Sequence, residues 1–332
     1  MRKLHCLLPV LTLAILPAGL GAADPGLLRL VMPDAKVVAG IQVDRTRDSQ
    51  FGQFVLSQMQ LDDPAFQQFV SETGFDLRKD VKELLIASNW KSVNGQPSWV
   101  VMAKGNFDLQ RIQRAAEANG AVMTTIQGAS VFSFAGKGSP DSDNAIAFLD
   151  PATAVMGTTP SVKAAIQRKQ AGAAASSDLA GKAKDLSAKN DFWFVTLVPL
   201  SQFDLVLPTP NSGGPINNNM FMAINQASGG IRFGEIVTIS ADVVARSDKD
   251  AQALGDVVKF FVGMLQQNRQ NNPVAGQFSN MLDPLETKTE GNTMSMSLAI
   301  PEELLERLFN TVARPGRTVP DSTPRKPGPQ RN

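Results

Sequence analysis

The sequence predicts an α+β protein built as two similar halves, each a largely antiparallel sheet with helices packed on one face. Three observations lead there. Period-two apolar runs alternate with helical stripes along most of the chain. Turn signals such as Asn94-Gly95 separate neighbouring alternating runs, as in hairpins. Two stretches also look like copies: 100–120 and 243–263 each read strand, polar turn, helix. Each is followed by two alternating runs around a glycine, 124–134 and 287–298. Ser49-Gln50-Phe51 and Ser201-Gln202-Phe203, each after a strand, repeat the echo.

The first half spans 24–170. Lys36 to Val43 reads as a strand, and Asp48 to Met59 places Phe51, Phe54, Val55 and Met59 on one helical face. A short helix follows Asp63, with Pro64 at its first position. Asp76 caps a turn ahead of the strand Val81 to Ala87, and Ser98 to Ala103 returns beyond Asn94-Gly95. Asp108 N-caps a helix with Leu109, Ile112, Ala115 and Ala116 inward. Strands flank Gly128, others lie near Ala145 to Leu149 and Ala154 to Gly157, and a helix runs from Ser161 to near Gln170.

Residues 171–190, rich in Ala, Ser, Gly and Lys, read as a connector with some helix. The second half, 191–313, opens with the buried strand Asp191 to Val198. Pro, Gly and Asn make Leu207 to Asn219 a loop. Glu235 to Ala245 alternates as a strand, and Ala251 to Gln266 is the clearest helix. Its stripe of Ala251, Leu254, Val257, Val258, Phe261, Val262 and Leu265 is expected to face the core. Pro301 opens a last helix with Glu302 and Glu303 in its first turn, where the dipole favours them. Its apolar face is Leu304, Leu305, Leu308, Phe309 and Val312. The Pro-rich basic tail, 314–332, has no apolar face to bury and is expected to be disordered.

Residues 1–23 read as a secretory signal. Arg2 and Lys3 form a basic start, Leu7 to Leu16 an apolar core, and Gly21, Ala22 and Ala23 a small-residue cleavage region after Ala22 or Ala23. The core is shorter than the ~20 residues needed to span a bilayer. The expected location is therefore the periplasm or the extracellular space, with no transmembrane segment after cleavage. Cys6 precedes the apolar core, which is the wrong side for lipidation.

Cleavage also has a chemical consequence. His5 and Cys6 are the sole histidine and cysteine, and the chain has no tyrosine. The released protein has no imidazole base and no thiol, which excludes structural zinc sites and Ser-His-Asp or Cys-His nucleophiles. Carboxylate pairs, Ser-Lys dyads and oxygen-ligand cation sites remain. Removing Arg2 and Lys3 from 32 basic residues leaves 30 against 31 acidic, so charge points to no nucleic-acid partner. The basic tail is a candidate for touching an anionic surface, beside the plainer reading of a solvated tail.

Some motifs approach catalytic signatures. Ser88-x-x-Lys91, Ser142-Asp143-Asn144 and Lys288-Thr289-Glu290-Gly291 follow the order of penicillin-recognising serine enzymes. Ser88 nevertheless ends a strand instead of opening a helix, and Glu290 interrupts the third motif. Gly136-Lys137-Gly138-Ser139 lacks the upstream P-loop glycine. Asp141, Asp143 and Asn144 lack a following bidentate Glu. Asp62-Asp63 and Asp76/Asp80 are carboxylate pairs that helix caps explain in part. Trp99 and Trp193 are expected in the core and Trp90 near the surface. Core burial is also expected for Met220-Phe221-Met222, ahead of a soft apolar contact surface.

The phrases 73–88, 100–112 and 145–166, with Asp191 to Val195, resemble a group of uncharacterised exported bacterial proteins of the domain-of-unknown-function kind. The resemblance covers most of 30–310 and implies a two-part exported architecture without naming a catalytic residue. No catalytic, cofactor-binding or metal residue is assigned. The expected function is non-enzymatic interaction with or binding of an envelope or extracellular partner. Two alternatives stand beside it: a periplasmic carrier of an apolar ligand or lipid, and a carboxylate-dependent hydrolase.

Overall fold

The computed structural model describes residues 22–58, 64–93, 96–118, 121–134, 144–172, 177–199, 222–267 and 280–313. Most of the segment read as a signal, and residues 207–219 and 314–332, lie outside them. The first seven strands are β1 (Val37–Gln42), β2 (Val81–Val93), β3 (Gln96–Gly105), β4 (Val122–Ile126), β5 (Ala129–Phe134), β6 (Asn144–Asp150) and β7 (Thr153–Thr158). Five more follow: β8 (Phe192–Thr196), β9 (Ile224–Arg232), β10 (Ile236–Ala245), β11 (Glu286–Glu290) and β12 (Thr293–Pro301). All join one twelve-stranded sheet in the order β11-β12-β10-β9-β8-β1-β2-β3-β7-β6-β5-β4. Neighbours pair antiparallel throughout, including β1 with β8, where the two expected halves meet.

The helices are α1 (Pro25–Leu28), α2 (Val43–Arg47), α3 (Gln50–Gln58), α4 (Pro64–Thr73), α5 (Leu77–Asp80), α6 (Leu109–Ala118), α7 (Thr159–Ala171), α8 (Ser177–Lys189), α9 (Asp248–Gln267) and α10 (Glu302–Ala313). Strand alternation decides which face each covers. Val38, Leu85, Val100, Met102, Val155 and Trp193 pack on one face with α1, α7 and α8. Their strand neighbours Ala103, Phe148 and Ala154 point the other way, toward Ile112 of α6 and Phe107. On that second face, Val243 and Met294 meet α9. Val237 and Ile300 meet Leu305 of α10 and Phe51 of α3 there too.

Helices on one face is thus right for the second half's own helices and wrong for the first half. Strands β3, β6 and β7 are apolar on both sides, at Met102-Ala103, Ala147-Phe148 and Ala154-Val155, so both faces need cover. By contrast, β10 and β12 alternate apolar residues with Ser240, Asp242, Ser295 and Ser297. The Ser295 hydroxyl donates to Asp242 Oδ1 at 2.6 Å across that polar face.

The apparent copies do fold alike locally: β3 and α6 match β10 and α9, and hairpins β4-β5 and β11-β12 follow. Their hairpins join the sheet differently. Strand β12 pairs with β10, whereas β5 pairs with β6 and is separated from β3 by the β6-β7 hairpin. The internal duplication is therefore not carried through at the level of topology.

Several elements differ from expectation for identifiable reasons. Strand β9 escaped the sequence reading because Ser228, Gly229 and Gly230 supply no apolar alternation. Gly230 is needed bare, since a Cβ there would lie 2.3 Å from the Asn190 side chain. The connector contains a core helix: Leu179 and Ala183 of α8 are buried, on a stripe too small to read strongly. The stripe of α9 faces the core as expected: Ala251 and Leu254 are buried, and Val257, Val258, Phe261, Val262 and Leu265 are half-buried, whereas Phe260, off the stripe, is 54% exposed. Asn94-Gly95 lie outside the described residues; on either side of them, Val93 stands opposite Gln96. Gln127-Gly128, both at positive φ (50° and 83°), form the tight turn between β4 and β5.

Candidate functional site: an apolar pocket under α4, α5 and α6

Three short connections build the wall of a pocket on the second face. Helix α4 ends at Gly74, which takes φ 68° and whose amide donates to the Val70 carbonyl at 2.7 Å. The Arg111 guanidinium occupies the space a Cβ of Gly74 would need. The chain then turns Phe75 inward. Asp76 caps α5 by accepting from the Arg78 amide at 3.0 Å, which sets Leu77 beside it. Beyond β3, the Phe107 amide donates to the Pro151 carbonyl at 2.9 Å, and Asp108 accepts from the Arg111 amide at 3.1 Å to start α6. This anchors Phe107 and Ile112 opposite the sheet.

The rings form a relay. Phe75 and Phe107 lie 5.8 Å apart, and Phe107 meets Phe148 edge-on at 5.4 Å. Leu84, Val101, Ala103, Ile146, Ala154 and Met156 make the floor. The cavity holds about 180 Å³, and every residue lining it is apolar. Met156 is 41% exposed, and Ile86, 46% exposed, lies beyond the lining. Ile86, Val101, Met156 and Ile146 stand opposite one another across four strands, so an apolar row leads along the sheet from the pocket. Phe75 and Ile112 also border an adjoining polar recess of about 170 Å³, where Thr73, Asp80, Asn106, Asp108 and Arg111 meet.

The perturbed carboxyls lie outside this apolar cavity. Burial works to raise the Asp76 carboxyl, but hydrogen bonds from the Arg78 side chain and backbone, with the Arg78 and Lys79 charges, hold it below its ordinary value. Asp150 likewise resists burial through Lys169, 2.5 Å away, and the Ala152 amide. On the opposite face, burial pushes Glu83 up to about 7. Burial lowers Arg168, which donates twice to the Leu30 carbonyl, at 3.0 and 2.8 Å, and ties α7 to the chain after α1.

The structure does not assemble the serine-enzyme motifs among the described residues. Ser88 lies within β2 and its hydroxyl donates to the Ser98 carbonyl at 2.9 Å. Lys288 sits on edge strand β11, 2.5 Å from Glu290. Strands β11 and β2 are six places apart, roughly 29 Å at ~4.8 Å per strand. Ser142, Asp143, Gly136–Ser139, Asp141 and Asp62-Asp63 lie outside the described residues. Asp76 and Asp80 bracket α5, with the Asp76 amide donating to Asp80 at 2.6 Å. Trp193 is fully buried, Trp99 is half-buried, and Trp90 is 36% exposed at a positive-φ bulge. Met222 is 55% exposed, contrary to the expected burial; Met220 and Phe221 are not among the described residues.

Sequence reading placed Ile112 on the inner face of its helix and the floor residues in strands, but joined none of them into a site. Phe75, Phe107 and Phe148 are far apart in sequence and each looks like an isolated core residue. Their shared signal is that each sits at or near the end of an element. Among the described residues, no group of three or more His, Cys, Asp or Glu side chains could hold a metal ion, and no helix is long and apolar enough to cross a membrane.

No family model and no curated protein matches the chain. A solved structure, crystal form I of TP0453, is similar to it at 9% identity and a TM-score of 0.45, covering 87% of this chain and 97% of the other.

Proposed function

We propose that this chain is an exported, non-enzymatic binding protein that takes an apolar ligand, such as the end of an acyl chain, in the pocket between α6 and the sheet. The supporting observation is the cavity of about 180 Å³ with wholly apolar walls. Water gains nothing in such a space, because it needs two to four polar partners. A hydrocarbon loses unfavourable hydration on entering, worth roughly 25 cal/mol per Å² of apolar surface buried. An apolar cavity of roughly 150 Å³ is large enough for a benzene-sized guest. The row from Met156 to Ile86 provides a path along which a longer chain lies against the sheet. The cavity wall has no carboxylate and so gives a hydrolase reading no support.

The test is displacement of an environment-sensitive apolar dye by medium-chain fatty acids and alcohols. Ala103→Phe places a ring in the pocket. The expected result is at least a tenfold loss of affinity, about 1.4 kcal/mol, with far-UV circular dichroism unchanged. Undiminished binding by folded Ala103→Phe rejects this pocket as the site.

A further inference from the structure

Glu83 is 5% exposed on β2, on the face opposite the pocket. Both its carboxylate oxygens accept from the backbone nitrogen of Asp24, at 3.2 and 3.1 Å, and the neutral Gln42 side chain beside it also favours the charged form. The charged groups around it are otherwise engaged or repulsive. Lys104, across the strand pair, points to Asp24 Oδ2 at 3.8 Å and Thr153 at 3.4 Å. Arg45 pairs with Asp191 at 3.2 Å and donates to the Ser187 and Asn190 carbonyls. The Asp24 and Asp44 side chains add negative charge. Among the described residues, no side-chain cation lies within ion-pair distance of Glu83. A buried carboxylate without a cation is costly, and here burial drives it toward protonation near neutral pH.

The nitrogen it holds is one side of a bond the sequence marks for cutting. Gly21-Ala22-Ala23 places small residues one and three positions before the Ala23–Asp24 bond. Hydrolysis breaks that C–N bond. Water supplies the oxygen of a new Ala23 carboxylate, and the Asp24 nitrogen leaves as an α-ammonium. The Asp24 side chain still caps α1, accepting from the Leu27 amide at 3.0 Å, and Leu27 is wholly buried. Ala23, whose amide donates to Ser187 at 2.8 Å, departs with the leader.

We propose that Glu83 is the seat of the processed N terminus: cleavage between Ala23 and Asp24 converts a hydrogen bond to a neutral amide into a buried ion pair between the Asp24 α-ammonium and the Glu83 carboxylate. Processing thereby supplies the missing cation and fastens α1 to the sheet. This rests on reading residues 1–23 as a cleavable export signal and is independent of the apolar pocket.

The full-length chain is expressed in an exporting bacterial host, and the released protein is examined by intact mass and N-terminal sequencing. Asp24 as first residue is expected. Ala23 first overturns the assigned pair, and an uncut chain or a distant cut overturns the export premise beneath it. Competitive acetylation across pH then titrates the α-amine of the processed wild-type protein. The amine is expected to titrate well above the ordinary α-amino range and to react at least tenfold more slowly at neutral pH than in Glu83→Gln. An ordinary titration in the folded wild-type protein overturns the pair, whether or not Glu83→Gln folds. A normal N terminus at Asp24 with an ordinary α-amine separates this failure from failure of the export reading.

Discussion

At the scale of single residues, the sheet centre depends on Gly40. Trp193 lies against it from β8, and a Cβ at Gly40 would sit 2.6 Å from the indole ring. Glycine here provides clearance, since its φ is not positive. Gly40→Ala is expected to cost about 1–3 kcal/mol, the usual range for overpacking. Chemical denaturation measures this, and combining it with Trp193→Leu should recover much of the loss. Phe107 has a different task, joining Phe75 to Phe148 along the pocket wall. Phe107→Ala is expected to destabilise by about 3–5 kcal/mol. None of these pairings is visible in sequence, because Gly40 and Trp193 are separated by most of the first half and meet only when β1 and β8 pair.

At the scale of elements, local signals served well where one residue does the local chemistry. Asp108 caps the helix expected of it, and Asp76 caps the expected turn, which is the one-turn helix α5. Helix α7 begins at Thr158, which accepts from the Ser161 amide at 3.4 Å, and ends at Gly172 in the left-handed region. A Cβ at Gly172 would meet nothing within 4 Å, so Gly172→Ala tests backbone strain alone. It should cost about 1 kcal/mol, read as a lower denaturation midpoint with the slope unchanged. Local signals failed where neighbours supply the reason for an element. Strand β9 is held by β8 and β10 on either side, and Gly230 makes room for Asn190. Burial along α9's apolar stripe becomes shallower after Leu254, because helix periodicity records a face without recording how far the sheet beneath extends.

Across the whole molecule, one sheet joins the first and second halves through β1 and β8, so disruption near Gly40 is transmitted to both. Charge makes a pH signature at the same scale. In the chain with Ala23 attached, Glu83 is raised from 4.5 to about 7 by burial, against the Asp24 amide's hydrogen bond. A raised acid binds its proton more tightly when folded. Its contribution to stability is full below pH ~4.5, falls as pH rises toward about 7, and is then lost, up to about 3 kcal/mol. Asp76 and Asp150 act oppositely: their lowered values add stability above the ordinary aspartate range that is lost as pH falls through it. Urea midpoints of the full-length chain should therefore decline between pH 4.5 and 7. Glu83→Gln should flatten that decline.

The sequence by itself determined the α+β class, most helix starts and the hairpin signals, because caps, turns and periodicity act over a few residues. It also determined the inventory of side-chain chemistry, since His5 and Cys6 both lie in the segment read as a signal. Tertiary structure alone decided that the strands form one sheet, that helices cover both faces of its first part, and that Phe75, Phe107 and Phe148 enclose a cavity. It also decided that Asp24 meets Glu83 across 59 residues of sequence. Each of these depends on which strand lies beside which, and that choice is made by packing over distances that no local pattern records.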